Sequence, residues 1–340
     1  MKFHTYTHKG RFEFEAGGGI DDLTIAYHTS EQDYKPDDER KVIWLCHALT
    51  LSSDAQGWWP KLVGPGKLID TEKYFVICGN MIGSAYGSSG PASINPQTGR
   101  PYFFDFPRVT VRDIVAGLDL VRESLGIKKI DLLVGTSIGG FQALEWCVKR
   151  PEVIDKAAFI ATGARVSPWL TGFEESQRMA LEADPTFREC KNLDGGKKAL
   201  KCARTIAMLS YRCDEGYNKK QEEDGNDTMF ADKAASYVRY QGNKFIQDFD
   251  AYSYYSLSYS VDSNNLGRGR GGVRKALGQI KAKSSVSAIN SDLLFPPKDM
   301  RAIAEGISGS EFHIIHSDFG HDGFLTETKQ LTEILRPQMP

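Results

Sequence analysis

Ile130-Asp131-Leu132-Leu133-Val134-Gly135-Thr136-Ser137-Ile138-Gly139-Gly140 runs from an apolar segment of strand type into a turn of small residues with a serine at its centre. Helical spacing follows from Phe141 to Lys149. The pentapeptide Gly135-Thr136-Ser137-Ile138-Gly139 fits the pattern G-x-S-x-G in the order strand, tight turn, helix. Glycine is needed in such a turn because the flanking backbones pass close together. The Ser137 hydroxyl then stands exposed at the C-terminal end of the strand. The first amides of the helix, starting near Ile138, face any negative charge that develops beside it. A glycine-rich turn with a bystander serine carries the same letters, so the decision rests on what the rest of the chain supplies.

Working outward, short apolar strands alternate with helices. Phe12–Glu15 and Leu23–Tyr27 alternate in polarity around a glycine-rich turn at 17–19, which suits an antiparallel start. A charged loop at 31–41 leads to a buried strand over Val42–Cys46, and Tyr74–Cys78 is another. Between that strand and the next helix lies a loop, 79–108, rich in Gly, Ser, Asn and Pro; loops of that length are commonly functional. Val111–Leu125 has helical spacing, with Asp113, Asp119 and Arg122 assigned to the outward face and Gly126 as the stop. Ile154–Thr162 is a further strand.

The alternation then breaks. Leu170–Ala183, Gly196–Cys213, Phe230–Tyr240 and Asp250–Val261 all read as helices, and 216–228 as a mobile polar surface loop. An all-helical stretch inside an alternating chain indicates an inserted cap. Its tyrosines at 237, 240, 252, 254, 255 and 259 suit packing first, then a subunit interface or an active-site roof. The run Gly267-Arg268-Gly269-Arg270-Gly271-Gly272 is too short to argue for nucleic acid and reads as the linker back to the main domain. Strands resume at Ser285–Asn290 and Glu311–Ile315, with a helix at 298–307 between them. The expected architecture is α/β: a mostly parallel central sheet with helices on both faces, built from 1–166 and 266–340, with a helical cap over 167–265.

Asp292 follows the first resumed strand and His321 follows the second. Serine, acid, histidine is the chain order of the α/β-hydrolase triad. A serine hydroxyl is a weak nucleophile at neutral pH, so a histidine must take its proton. That histidine needs a buried acid to fix its tautomer and stabilise the imidazolium. Asp292 alone would pass for a capping residue and His321 for a core histidine; all three at strand ends make a catalytic triad. The loop His47-Ala48-Leu49-Thr50 directly follows a strand, where open α/β sheets bind ligands. The amides of Leu49 and Ile138 are the expected oxyanion donors. Arg204 and Tyr211 lie two turns apart on one helix face, and an arginine there suits a carboxylate. Arg178 and Arg212 are equal candidates on sequence alone. Asp322 suits a cationic amine or a solvated surface.

Composition narrows the class. The formal net charge of -2 favours neither nucleic acid nor an anionic membrane. No apolar run approaches a membrane span, and Met1-Lys2-Phe3-His4 does not open a secretory apolar region. The six cysteines form no CxxC pair, which points to a reduced, cytoplasmic protein. Seven histidines show no HExxH, and His313, His316 and Asp318 make a poor metal cluster because His313 lies in a strand.

Several longer pieces carry a family resemblance. Tyr74-Phe75-Val76-Ile77-Cys78-Gly79-Asn80 leads into Tyr86-Gly87-Ser88-Ser89-Gly90-Pro91, and Phe106-Pro107 precedes Val109-Thr110-Val111-Arg112-Asp113. Ala203-Arg204-Thr205-Ile206-Ala207 runs into Tyr211-Arg212, and Gln241-Gly242-Asn243-Lys244-Phe245 precedes Phe249-Asp250-Ala251-Tyr252. Ser291-Asp292-Leu293-Leu294-Phe295-Pro296 and Gly320-His321-Asp322-Gly323-Phe324-Leu325 complete the set. Over nearly its whole length the chain resembles the homoserine O-acetyltransferases of the α/β-hydrolase superfamily.

The resemblance implies ping-pong acyl transfer from acetyl-CoA through Ser137 to a small amino acid, as in methionine biosynthesis, with no metal and no tightly bound cofactor. It implies substrate contacts at Arg204 for the carboxylate, Asp322 for the amine, and Tyr211 and Thr50 nearby. It also implies a homodimer joined through the cap and a deep tunnel that excludes water. The chain departs from the family pattern at Leu51-Ser52, where Gly usually follows Leu-Thr, at Gly83-Ser84-Ala85, at Thr136 and Ile138, and after Arg212. A succinyl donor, a serine acceptor, or ester hydrolysis on the same scaffold therefore stand as alternatives.

Overall fold

A computed structural model describes residues 1–35, 39–225 and 227–340. Eight strands form one sheet: β1 (Lys2–Thr7), β2 (Thr24–Thr29), β3 (Val42–Cys46), β4 (Phe75–Gly79), β5 (Ile130–Thr136), β6 (Ile154–Ile160), β7 (Lys283–Ile289) and β8 (Glu311–Ile315). Their spatial order is β1-β2-β4-β3-β5-β6-β7-β8. Only β2 runs antiparallel to its neighbours; from β4 to β8 every pairing is parallel.

The central strands are buried along their whole length because helices cover both faces. Alternate residues feed two separate cores. Trp44, Leu133 and Phe159 join the cluster beneath the helices Val111–Ser124 and Ile138–Lys149. Ile43, Leu45, Leu132, Val134 and Ile160 join Trp59, Leu62, Leu331 and Leu335 on the other face.

The antiparallel start is more elaborate than the sequence pattern suggests. Arg11–Glu13 and Gly19–Asp21 form a separate hairpin, and β2 pairs instead with β1, which the pattern did not show. The charged loop at 31–41 includes three positions, 36–38, outside the described residues. The long loop after β4 is tied down by Asn80, whose side chain accepts from the Ser53 amide at 2.7 Å and donates to the Tyr86 carbonyl at 2.8 Å. It also contains a short hairpin, Ile94–Asn95 with Arg100–Pro101.

One expectation fails on the helix Val111–Ser124. Asp113, Asp119 and Arg122 are buried. Asp113 completes a capping box with Thr110 and accepts from the Glu15 amide at 2.9 Å. Asp119 holds Arg122 at 2.7 Å and Arg150 at 2.8 Å. Asp113 and Asp119 have found partners from other segments, and Asp119 in turn holds Arg122 one turn away, which periodicity along one helix does not reveal.

Between β6 and β7 lie the helices Pro168–Glu182, Lys197–Tyr211, Asp214–Gln221, Asp232–Phe245 and Ala251–Asp262. Ser167 and Asp250 cap the first and last of these. The expected loop at 216–228 begins inside the helix Asp214–Gln221, and position 226 lies outside the described residues. Tyr252 and Tyr254 are fully buried: Tyr252 donates to the Phe187 carbonyl at 2.9 Å and Tyr254 donates to Gln177 Oε1. Packing accounts for these two rings, whereas Tyr240 stays exposed.

The glycine-arginine run after the last of these helices is an anchor. Arg268 reaches both Glu15 oxygens, at 2.8 and 2.7 Å, and Arg112 joins the same carboxylate at 3.1 Å. The hydrogen bond from Arg268 is the main force holding Glu15 down to about 2, against an opposing effect of burial. Arg270 forks onto Glu145 at 2.5 and 2.6 Å, where the carboxylate is almost wholly enclosed.

The two arginines should differ in worth. Arg270→Met leaves the buried Glu145 carboxylate with only the longer ion pair to Arg112 at 3.6 Å and should cost about 3 kcal/mol. Arg268→Met, at an exposed pair, should cost about 1 kcal/mol or less. Urea denaturation midpoints at neutral pH check this, and equal losses would refute the ranking.

Candidate active site

Ser137 closes β5 and opens the helix Ile138–Lys149 with φ 54° and ψ -126°. A side chain at positive φ is strained by about 1–3 kcal/mol and persists only where its surroundings over-determine it. Here the Ser137 amide donates to the Ile160 carbonyl at 3.1 Å. The Ser137 carbonyl accepts from the Thr162 hydroxyl at 2.7 Å and from the Gly140 amide at 2.9 Å. The turn has no room for larger residues. A Cβ on Gly139 would lie 2.0 Å from the Cys46 carbonyl oxygen, and one on Gly140 2.3 Å from the Thr162 hydroxyl.

The strand ends bring three side chains together. His321 Nε2 lies 2.9 Å from Ser137 Oγ, and His321 Nδ1 lies 2.7 Å from Asp292 Oδ2. The other Asp292 oxygen accepts from the Leu294 and Phe295 amides at 2.8 and 3.0 Å, which fixes the carboxylate. Asp292 and His321 are buried. Burial pulls the His321 pKa down, but the charge and hydrogen bond of Asp292, with a smaller push from Asp322, carry it above its ordinary value. The arrangement matches a nucleophile, a base and an orienting acid.

A cavity opens over the serine. Its wall includes Leu49, Thr50, Ile138, Arg204, Tyr211 and Asp322 beside Ser137 and His321. Leu49 and Thr50 come from the loop after β3. There the buried His47 donates from Nδ1 to the Ala48 carbonyl at 2.9 Å, and burial lowers its pKa to about 4, so the ring is neutral. Ile138 supplies the first amide of the helix.

The three arginines proposed from sequence differ in their partners. Arg178 bonds Glu175 at 2.8 Å and Asp262 at 2.7 Å. Arg212 pairs with Asp322 at 2.7 Å. Arg204 packs its guanidinium over the rings of Phe245 and Tyr211, and its Nη1 is buried without a hydrogen-bond partner. Among the described residues no group of three or more His, Cys, Asp or Glu side chains is placed to hold a metal, and no helix is long and apolar enough to cross a membrane.

Residues 41–328 match the protein-family model of the alpha/beta hydrolase fold. The chain is 41% identical over 324 residues to a homoserine O-acetyltransferase of Cyclobacterium marinum, covering 95% of this chain and 91% of that one. This chain belongs to the homoserine O-acetyltransferase family. The solved homoserine O-acetyltransferase of Staphylococcus aureus superposes with a TM-score of 0.81 at 30% identity, covering 99% of this chain and 94% of the other. An acetylester hydrolase of Corynebacterium glutamicum superposes with a TM-score of 0.84 at 26% identity, covering 98% and 95%. The same scaffold therefore appears in proteins named for transfer and for hydrolysis.

Two residues of the site escaped sequence reasoning. Thr162, just beyond β6, braces the serine turn from the neighbouring strand. Glu174 lines the cavity from the helix Pro168–Glu182. It shares the buried face with Leu170, Gln177, Arg178 and Leu181. An acid on an apolar stripe was the available signal for it.

The histidine predicts a pH profile. Acylation of Ser137 by an activated acetyl ester needs neutral His321, so the acid limb should lie above the ordinary histidine pKa. Asp292→Asn removes most of what raises it and leaves burial against the smaller push of Asp322, so the limb should move to lower pH. The rate should fall about 10^4-fold as the wrong tautomer is favoured. A limb unmoved by Asp292→Asn would contradict the assignment.

Proposed function

We propose that this protein transfers an acetyl group from acetyl-CoA to the hydroxyl of L-homoserine through an acyl-Ser137 intermediate. The observation that carries it is Arg204 Nη1, a buried cation without a partner in the same cavity as the Ser137–His321–Asp292 array. A site for simple esters has no use for such a group, whereas an amino-acid carboxylate satisfies it.

Ser137 Oγ attacks the thioester carbonyl and gives its proton to His321 Nε2. The oxyanion that forms is held by the amides of Ile138 and Leu49, each worth about 3 kcal/mol in the transition state. The tetrahedral species collapses, the C–S bond breaks, and the thiolate takes the proton from His321. The acceptor hydroxyl then enters, loses its proton to His321 and attacks the acyl-serine. Collapse expels Ser137, which recovers the proton, and the O-acyl amino acid leaves. Arg204 binds the acceptor carboxylate, Asp322 stands as an acid for its amine, and Tyr211 and Thr50 complete the wall.

Apolar lining by Leu170, Val261, Phe295 and Phe324 limits the water that competes for the acyl-enzyme. Acetyl-CoA acts as co-substrate, with no resident metal or cofactor. The setting is the cytoplasm and methionine biosynthesis. The subunits pair through the helices between β6 and β7, a pairing supported by the exposed apolar side chains of Leu209, Met229, Phe230 and Tyr240 in that region. The likeness to an acetylester hydrolase favours hydrolysis as the second reading. Succinyl-CoA and L-serine are the alternative donor and acceptor.

Release of free thiol from acetyl-CoA, with and without L-homoserine, tests the proposal, with Ser137→Ala as the blank. Homoserine-dependent release, lost in the variant, is expected. Equal release without acceptor would establish hydrolysis instead. For the assembly, light scattering should give twice 37.8 kDa, and Met229→Lys with Phe230→Lys should yield the single-chain mass; a single-chain mass before substitution would sink the dimer.

A further inference from the structure

Two side-chain atoms in the cavity wall are buried without a hydrogen-bond partner: Arg204 Nη1 and Glu174 Oε2. They belong to different helices, Lys197–Tyr211 and Pro168–Glu182. Glu174 is only 5% exposed, and Arg204 is half-buried with its Nη1 wholly enclosed. No ion pair joins them among the described residues, although their charge types are opposite and they share one cavity with Ser137. A cation and an acid held apart, each unsatisfied, form the negative of a zwitterion.

We propose that Glu174 is a specificity-determining residue of the acceptor site, receiving the α-ammonium of the amino acid on Oε2 while Arg204 takes the carboxylate. This rests on the acyl-transfer reading and names a second acid within it. Asp322 borders the same cavity, but its carboxylate is already bound to Arg212 at 2.7 Å. An ammonium has three N–H donors and can reach both acids, yet only Glu174 brings an uncommitted oxygen.

The state of the empty site agrees with this role. Burial pushes the Glu174 carboxyl up to about 8, the charge of Arg178 lowering it and that of Asp262 raising it. The other titratable groups around it are Tyr211 and Tyr254, with Arg204, His321 and Asp322 across the cavity. Glu174 is therefore mostly protonated at neutral pH. An arriving ammonium favours the carboxylate, so the Glu174 proton leaves to the buffer and the cation takes its place. The empty cavity avoids a bare buried anion, and the filled one holds two matched pairs.

The test compares L-homoserine with 4-hydroxybutanoate, which lacks the amine. Calorimetry on Ser137→Ala and on Ser137→Ala with Glu174→Gln reads binding without turnover. L-Homoserine should bind Ser137→Ala about 10- to 100-fold more tightly than the analogue. Its binding enthalpy should vary with the ionisation heat of the buffer. Glu174→Gln should remove most of that preference and the buffer dependence together. In the active enzyme, Glu174→Gln should raise the KM for L-homoserine far more than the KM for acetyl-CoA, with circular dichroism showing that the variant folds. The inference is overturned if the preference survives Glu174→Gln, if only Asp322→Asn removes it, or if L-homoserine does not bind. Absence of homoserine-dependent thiol release from the unaltered protein would instead refute the transfer reading, and the binding results would still decide the role of Glu174.

Discussion

The close approach of one helix to the ends of two strands governs the site. Ser137 sits at positive φ, and that conformation is held by its amide on Ile160 of β6 and by its carbonyl, which accepts from Thr162 just beyond β6 and from Gly140 of its own helix. The helix in turn reaches its place only because Gly139 lets its backbone lie against the carbonyl of Cys46 at the end of β3. Gly140 does the same toward Thr162. Nucleophile, first amide donor and the loop that carries Leu49 are therefore positioned by one set of contacts. The strain at Ser137 is offset by packing that the sheet order makes possible, since β3 and β6 both border β5.

A second constraint ties the later part of the chain to the earlier one. The segment that follows the helix Ala251–Asp262 carries Arg268 and Arg270 onto Glu15 and Glu145. Glu145 lies in the same helix that Ser137 begins. The ion pair thus connects the helix under the nucleophile to the segment that leads to β7, whose end bears Asp292.

Much of the fold was legible because parallel strands buried on both faces leave continuous apolar runs, and because strand ends in such a sheet converge. Ser137, Asp292 and His321 needed only chain order and strand boundaries to be grouped. What the sequence hid has specific causes. β1 is an edge strand with little buried surface, so Lys2–Thr7 lacks the usual alternation. Asp113, Asp119 and Arg122 look like a solvated face until Glu15 and Arg150 arrive from elsewhere. Glu174 is the same problem in reverse: its neighbours on the helix are buried, but nothing local says that a cavity lies in front of it. The choice among Arg178, Arg204 and Arg212 also needed coordinates, since it turns on which cations already have partners.

The charges around the cavity follow from one physical rule, that a buried ion must be paired or become neutral. Arg178 is answered by Glu175 and Asp262, Arg212 by Asp322, and His321 by Asp292. His47 is neutral under the loop, and Glu174 tends toward its neutral form. Arg204 has no acid paired with it among the described residues and rests on the faces of Phe245 and Tyr211; on the transfer reading proposed above, its anion is the carboxylate of the acceptor. A ligand that brings a carboxylate satisfies that cation, whereas a water molecule that enters brings no charge. The same asymmetry that makes the empty site tolerable thus favours an amino-acid acceptor over water at the acyl-serine, and it does so with groups that lie beside the reacting atoms without taking part in the proton transfers.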